Sequence, residues 1–496
     1  MRGSKHKVFD YEPVTRGVRR PEAEPDFAKP DLLDADAPIS PKDSRSNGRE
    51  VVQPQAQSAA DPLYPAELKN WLIRRGHMLS FIGVFLFTIA VYLRPYELIP
   101  ALQPLSTMAF WLAIFTILVF VPTQLGLEGN LTSRPREVNL LLLLTLAVLV
   151  SATLGDDPRG SLSSFVDFLK VVLIFIVMVN VIRTENRWKL LFVLLLAISC
   201  FLGGSALANY RSGLQLVDGN RVTGSIGNMF QSPNDMALHL VTMVPISVAL
   251  FLSTRNPLMK VFYVVCVILM LAGILVSFSR GGLLGLAGAV GVMAWKLARH
   301  NRPLVMGATV ILAAAFILAA PGGIASRFRS VFDQDKAGSA GKRKDDLKRS
   351  ILVTVRHPLF GIGLGNYVPR SNQALATHNA YTQVSSEIGI AAMVLYVMFI
   401  ITPLKRLRAV ERETVANRKK SRYRYLAIGM QASLVGYMVC SFFASVAFLW
   451  YVYYLVAASV CLGRLYEIEQ GIAVKGATKQ DRELIAPAKE PRMAVF

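Results

Sequence analysis

The sequence predicts an all-α, polytopic membrane protein with about 12 transmembrane helices and one large polar loop between spans 9 and 10. Three observations carry that prediction. The chain has 496 residues, 53% of them hydrophobic, with a mean hydropathy of +0.41. Its apolar residues fall in unbroken blocks near the ~20 residues a helix needs to cross a bilayer. Within the blocks there is no alternation of period two, which excludes outer-membrane barrel strands. Lys and Arg gather at block ends, so the formal net charge of +21 reads as charge flanking membrane spans and excludes a nucleic-acid binder.

Residues 1–68 come first and are rich in Pro, Ser, Gln and charge, with nine of the 25 prolines lying before Ala66. Such a segment buries too little apolar surface to offset the entropy of ordering it, and it reads as a disordered tail. It lacks the apolar core of a cleaved signal peptide, so the first span serves as the membrane signal. Apolar segments follow near 77–97, 105–123, 138–154, 164–182, 189–206, 236–254, 258–278, 281–297, 303–320, 389–404, 424–443 and 445–463. The seventh and eighth are separated only by Phe278-Ser279-Arg280 and read as a tight hairpin. Residues 466–496 form a second tail. Cys200, Cys266, Cys440 and Cys461 all lie inside apolar segments and read as small hydrophobes, with no disulfide framework or zinc spacing.

The positive-inside rule orients these spans. With the first tail inside, the short inner loops hold nineteen Lys/Arg and the short outer loops five. Both termini are therefore expected in the cytoplasm. The 206–235 loop, the turn at Arg280 and the 321–388 insertion then share the outer side. That insertion carries ten Lys/Arg over nearly seventy residues, far more than a connector needs. Within it, Ala337–Arg343 reads as mobile. Leu347, Ile351, Leu352 and Val355 recur at helical spacing, as on a membrane-surface helix.

Three outward groups stand in unusual settings. Arg221 lies in a loop rich in Gly and Asn that leads to Ser232-Pro233-Asn234-Asp235, a helix start whose N–H groups could hold an anion. Arg280 lies between two apolar blocks with hardly any loop to carry it into water, where a cation needs a partner or a ligand. His378 is followed by Asn379 and Tyr381, with Glu387 beyond. A histidine can accept a proton from an attacking hydroxyl at neutral pH. Singly, a loop arginine is a solvated charge and a loop histidine is bland; together on one side, two guanidiniums and an imidazole suit a membrane-embedded diphosphate. Asp333-Gln334-Asp335 and Asp156-Asp157 also face out, but short acidic clusters are common in solvated loops, and no metal is expected. Gly361, Gly363 and Gly365 follow no strand and make no nucleotide fingerprint.

These residues resemble the O-antigen ligase and polymerase superfamily. The likeness rests on Arg94-Pro95-Tyr96-Glu97, Gly227-Asn228 through Pro233-Asn234, Ser279-Arg280-Gly281-Gly282, the run from His357 to Asn366, and His378-Asn379 with Gly389 ten residues after Asn379. It covers about 75–465. The resemblance implies a GT-C-like fold, a periplasmic site, a large periplasmic loop at 321–388 and an inner-membrane location. It implies a glycosyltransferase that needs no metal or other cofactor and uses an undecaprenyl-diphosphate-linked glycan as donor. By the resemblance its essential groups would be His378, Arg280 and Arg221, with Arg343 as a further recurring arginine of the long loop. Beside these, Asn379, Tyr381, Asn234 and Glu387 are expected, with Arg343, to contact substrate. The acceptor stays open: a lipid core, a growing polymer or a protein hydroxyl. A polysaccharide flippase is the alternative from another class, disfavoured because the unusual polar groups sit on one side.

Overall fold

A computed structural model describes residues 66–217, 221–298, 339–370, 376–415 and 421–470, all within one compact unit, Leu63–Phe496. Most of both predicted tails and the ninth predicted span lie outside the described residues.

The other eleven predicted segments are helices: α1 (Ala66–Tyr92), α2 (Met108–Glu128), α3 (Arg136–Leu154), α4 (Pro158–Val181), α5 (Glu185–Ser212), α6 (Pro233–Ser253), α7 (Pro257–Val276), α8 (Arg280–Leu297), α11 (Ile390–Thr414), α12 (Ser421–Cys440) and α13 (Trp450–Glu469). Within the 321–388 insertion lie α9 (Ser339–Arg356) and α10 (Ala380–Glu387). The chain is a helical, polytopic membrane protein. Among the described residues, 9 helices are long and apolar enough to cross a membrane.

Local sequence explains the helix starts. Asp157, Thr184, Ser232, Asn256 and Ser279 each cap a helix with a side-chain oxygen, and Pro158, Pro233 and Pro257 occupy first positions, where a missing N–H costs nothing. One expectation is corrected here. The helix of the insertion begins at Ser339, inside the stretch read as mobile, because Arg343, Lys344, Leu347, Lys348 and Arg349 are good helix formers that lead into the apolar spacing beyond them.

Two of the eleven fall outside the nine. Helix α13 carries Arg464, Glu467 and Glu469 and is buried continuously from Tyr451 to Tyr466. It is the central post of the bundle, covered by protein all round. Helix α8 is diluted by Arg280, Lys296 and its glycines. Those glycines let α12 approach: a Cβ on Gly285 would lie 2.1 Å from Cys440 Sγ.

Contacts between loops join residues at the same end of the helices. Arg183 pairs with Glu128 at 2.7 Å, both buried, and Lys296 pairs with Glu411; all four belong to the end assigned inside. At the opposite end Asp156 N donates to Ile362 O at 3.0 Å. There too lies the one small sheet among the described residues, where Leu216–Val217 pairs antiparallel with Arg221–Val222.

Candidate functional site

The site is built outward from Asn234 in the first turn of α6. Its Oδ1 accepts from Arg221 Nη2 at 2.8 Å and from Ser279 Oγ at 2.9 Å. Arg221 also donates from Nε to Ser277 O at 3.2 Å. Ser279 Oγ in turn accepts from Gly282 N at 3.2 Å and caps α8, whose first residue is Arg280. One amide oxygen thus fixes the plane of the Arg221 guanidinium and ties it to the helix start bearing Arg280. The N-terminal end of α8 adds partial positive charge at the same place.

His378 belongs to a second group of contacts. It has φ +49°, a left-handed conformation uncommon outside glycine. The residues on either side hold it there. Thr377 Oγ1 donates to Asn379 O at 3.1 Å and lies 2.9 Å from Ser445 Oγ. Asn379 is buried and caps α10, its Oδ1 accepting from Tyr381 N at 2.9 Å and Thr382 N at 3.1 Å. Burial of the ring, and next the charge of Arg343, push the His378 pKa below the ordinary 6.5, while Asp346 acts the other way. The imidazole is therefore neutral and able to accept a proton at neutral pH. Arg343 lies on α9, near enough for its charge to bear on the ring.

The segment Met438–Ser445 joins the two halves. Cys440 Sγ donates to Gly281 O at 3.4 Å, and a Cβ on Gly281 would meet Phe443 Cβ at 2.8 Å. From the same segment, Ser441 Oγ donates to Tyr381 Oη at 3.2 Å, and Tyr381 Oη donates to Met438 O at 2.9 Å. The start of α8 and the loop bearing His378 therefore pack on one short segment, the last turn of α12 and the residues that follow it toward α13. Sequence reading passed over Ser441 and Ser445, which carry no motif of their own.

Glu387 is turned elsewhere. It is 3% exposed, its carboxylate accepts backbone N–H groups from Gly365 and Tyr367, and burial pushes its pKa up to about 8. Around it the 361–366 turn clasps the end of α10: Ile362 N donates to Ser386 O at 3.1 Å and Gly363 N to Glu387 O at 2.9 Å. Gly361 (φ +67°) has no room for a side chain, since a Cβ would lie 2.3 Å from Glu387 C. The three spaced glycines thus make a helix clasp.

A second brace links motifs far apart in the chain. Arg94, at φ +45°, pairs with Glu97 at 2.5 Å, and Glu97 Oε2 accepts from Gly227 N at 2.7 Å. The Arg94–Glu97 motif at the end of the first span thereby steadies the loop between Arg221 and Asn234. Asp157 serves as the cap of α4, and Asp333 and Asp335 lie outside the described residues. Among the described residues no three His, Cys, Asp or Glu side chains cluster to hold a metal ion.

Residues 265–397 match the family model described as O-antigen ligase. The matched stretch includes Arg280, Arg343 and His378 and stops short of Arg221 and Asn234. No curated protein sequence matches the chain.

Proposed function

We propose that this member of the O-antigen ligase superfamily, with its ligase domain at 265–397, is an inner-membrane glycosyltransferase. It moves a glycan from an undecaprenyl-diphosphate donor to an acceptor hydroxyl at the periplasmic face. Twelve crossings with both termini in the cytoplasm would put Arg221, Arg280 and His378 on that face. In this reading Arg280 and Arg221 hold the diphosphate, through charge-assisted bonds that tighten as the leaving group gains charge. The acceptor O–H proton passes to the His378 imidazole and its oxygen attacks the anomeric carbon. The C–O bond to the diphosphate breaks and undecaprenyl diphosphate departs with the electron pair. A single displacement inverts the anomeric centre. Arginine charge supplies the neutralisation that a divalent metal would otherwise give. Arg343, Tyr381 and Asn379 frame the base, and Asn234 orients Arg221.

The observation that supports this most is the common turn, Met438–Ser445, on which both the Arg280 helix start and the His378 loop pack. The acceptor hydroxyl must come within bonding reach of the donor's anomeric carbon, beside the phosphates, and a shared support for the two groups favours that. A polymerase or a protein O-oligosaccharyltransferase would use the same groups with a different acceptor. Deleting the gene and analysing envelope glycans separates them: retained lipid-linked polymer with uncapped core indicates a ligase, single-repeat caps a polymerase. His378→Ala should abolish transfer at unchanged membrane level; full transfer by the purified variant would remove His378 as the base.

A further inference from the structure

Helix α9 has two unlike sides. One faces α10: Asp346 and Ser350 are buried, Tyr367 Oη donates to Asp346 O at 3.3 Å, and Thr354 Oγ1 lies 2.9 Å from Ser385 Oγ. The other side carries Ile351, Leu352 and Val355, followed beyond the helix end by Leu359 and Phe360, all between 47% and 72% exposed. Ile351 and Val355 are one helical turn apart, so they stand in one ridge. A patch of this kind facing water is an association or aggregation surface.

The ridge does not end at Leu359. Pro358 O accepts from Ile390 N at 2.9 Å, and Leu359 O lies against Gly389. Immediately beyond, Ile390, Val394 and Met398 form an exposed stripe of turn spacing, 42% to 48% exposed, on α11. That helix is long and apolar enough to cross a membrane. The exposed apolar surface of α9 thus continues the outward stripe of a spanning helix. Towards the other end of α9 the same exposed side carries Lys344, Lys348 and Arg349, with Arg356 near the ridge. Apolar groups joined to a spanning stripe, with cations beside them, match acyl chains beside headgroup phosphates.

We infer that the ridge Ile351–Phe360 is a lipid contact, sunk into the leaflet on the His378 side, with the α9 cations at its phosphates. The contact stands whether or not the chain is a transferase. Its consequence rests on the proposed function: because α9 carries Arg343 and packs on α10, the bilayer sets the height of His378 relative to a diphosphate at headgroup level. Depth would then be fixed by lipid and not by the insertion alone.

Nitroxide labels test this in the full chain reconstituted in phosphatidylethanolamine–phosphatidylglycerol vesicles. Labels are placed at Val355→Cys, Leu359→Cys, Lys344→Cys and Met398→Cys. The parent chain, whose four cysteines lie inside helices, gives the background. Labels at 355 and 359 should collide with oxygen more than with a water-soluble nickel complex, as at 398, and the label at 344 should do the reverse. Nickel access at 355 and 359 equal to that at 344 overturns the inference. So does a motionally frozen spectrum shielded from both reagents, which would mean that protein covers the ridge. Glycan transfer is measured separately on the same variants, so that its loss bears on the proposed function and leaves the lipid contact to be decided by the labels.

Discussion

The hydroxyls of Thr377 and Ser445 lie 2.9 Å apart, and this bond ties the residue before His378 to the turn that packs on Gly281. It also restrains a backbone that would otherwise relax from φ +49°. Thr377→Val or Ser445→Ala should lower kcat about tenfold, the worth of one hydrogen bond, with little change in KM. Thr377→Ser and Ser445→Thr should retain activity. Steady-state transfer kinetics decide it; equal loss in the conservative pair would point to packing instead.

The pH profile follows from the surroundings of His378. A base must be neutral, and burial with the Arg343 charge disfavours the imidazolium, so the acidic limb of kcat/KM should lie below 6.5. Removing the cation in Arg343→Met should move that limb up, and Asp346→Asn should move it down. A limb that ignores both substitutions would belong to another group.

Arg221 and Arg280 should differ from each other in tolerance. Asn234→Ala frees the Arg221 fork from its 2.8 Å partner and should raise KM about tenfold, the worth of one charge-assisted bond. Arg280→Lys loses the planar fork and should lose most activity, as Arg280→Ala does. Chelators should leave transfer by the unaltered protein unchanged; donor-binding and turnover assays with and without EDTA check both points.

Glu387 makes stability depend on pH. Between the ordinary 4.5 and about 8, the folded carboxyl holds a proton that the unfolded chain has released. The folded state therefore loses stability as pH rises through that window, by an amount on the order of a few kcal/mol. Glu387→Gln should flatten the curve. Unfolding midpoints in detergent at pH 5 and pH 8 should differ less for the variant than for the parent.

The glycine clasp gives a graded test. Gly361→Ala and Gly389→Ala each meet backbone at 2.3 Å with φ +67° and +106° and should cost more than about 2 kcal/mol, with reduced membrane levels. Gly129 also has positive φ, +65°, but nothing lies within 4 Å, so Gly129→Ala should cost only about 1 kcal/mol of backbone strain. Fluorescence-detected size exclusion after heating ranks the three.

Much of this architecture is written locally. Hydropathic blocks and cap–proline pairs such as Asn256-Pro257 mark eleven helices because helix formation depends on residues within a turn or two. Loop charge gives an expected orientation, and Arg221 and Arg280 stand out because a cation beside an apolar block demands a partner.

What the chain could not disclose depends on contacts between residues far apart along it. Thr377 meets Ser445 across 68 residues, and Glu97 reaches Gly227 across 130; no periodicity or propensity encodes such pairings. Glu387 shows the same limit from the other side. Its nearness in sequence to His378 suggested a shared task, yet one short helix separates them and the Gly361–Asn366 turn takes up its carboxylate. Residue type and spacing determined which groups could do phosphate and proton chemistry. Packing of α8, α10 and the Met438–Ser445 turn decided which of them stand together, since only a folded bundle brings such distant segments within hydrogen-bond reach.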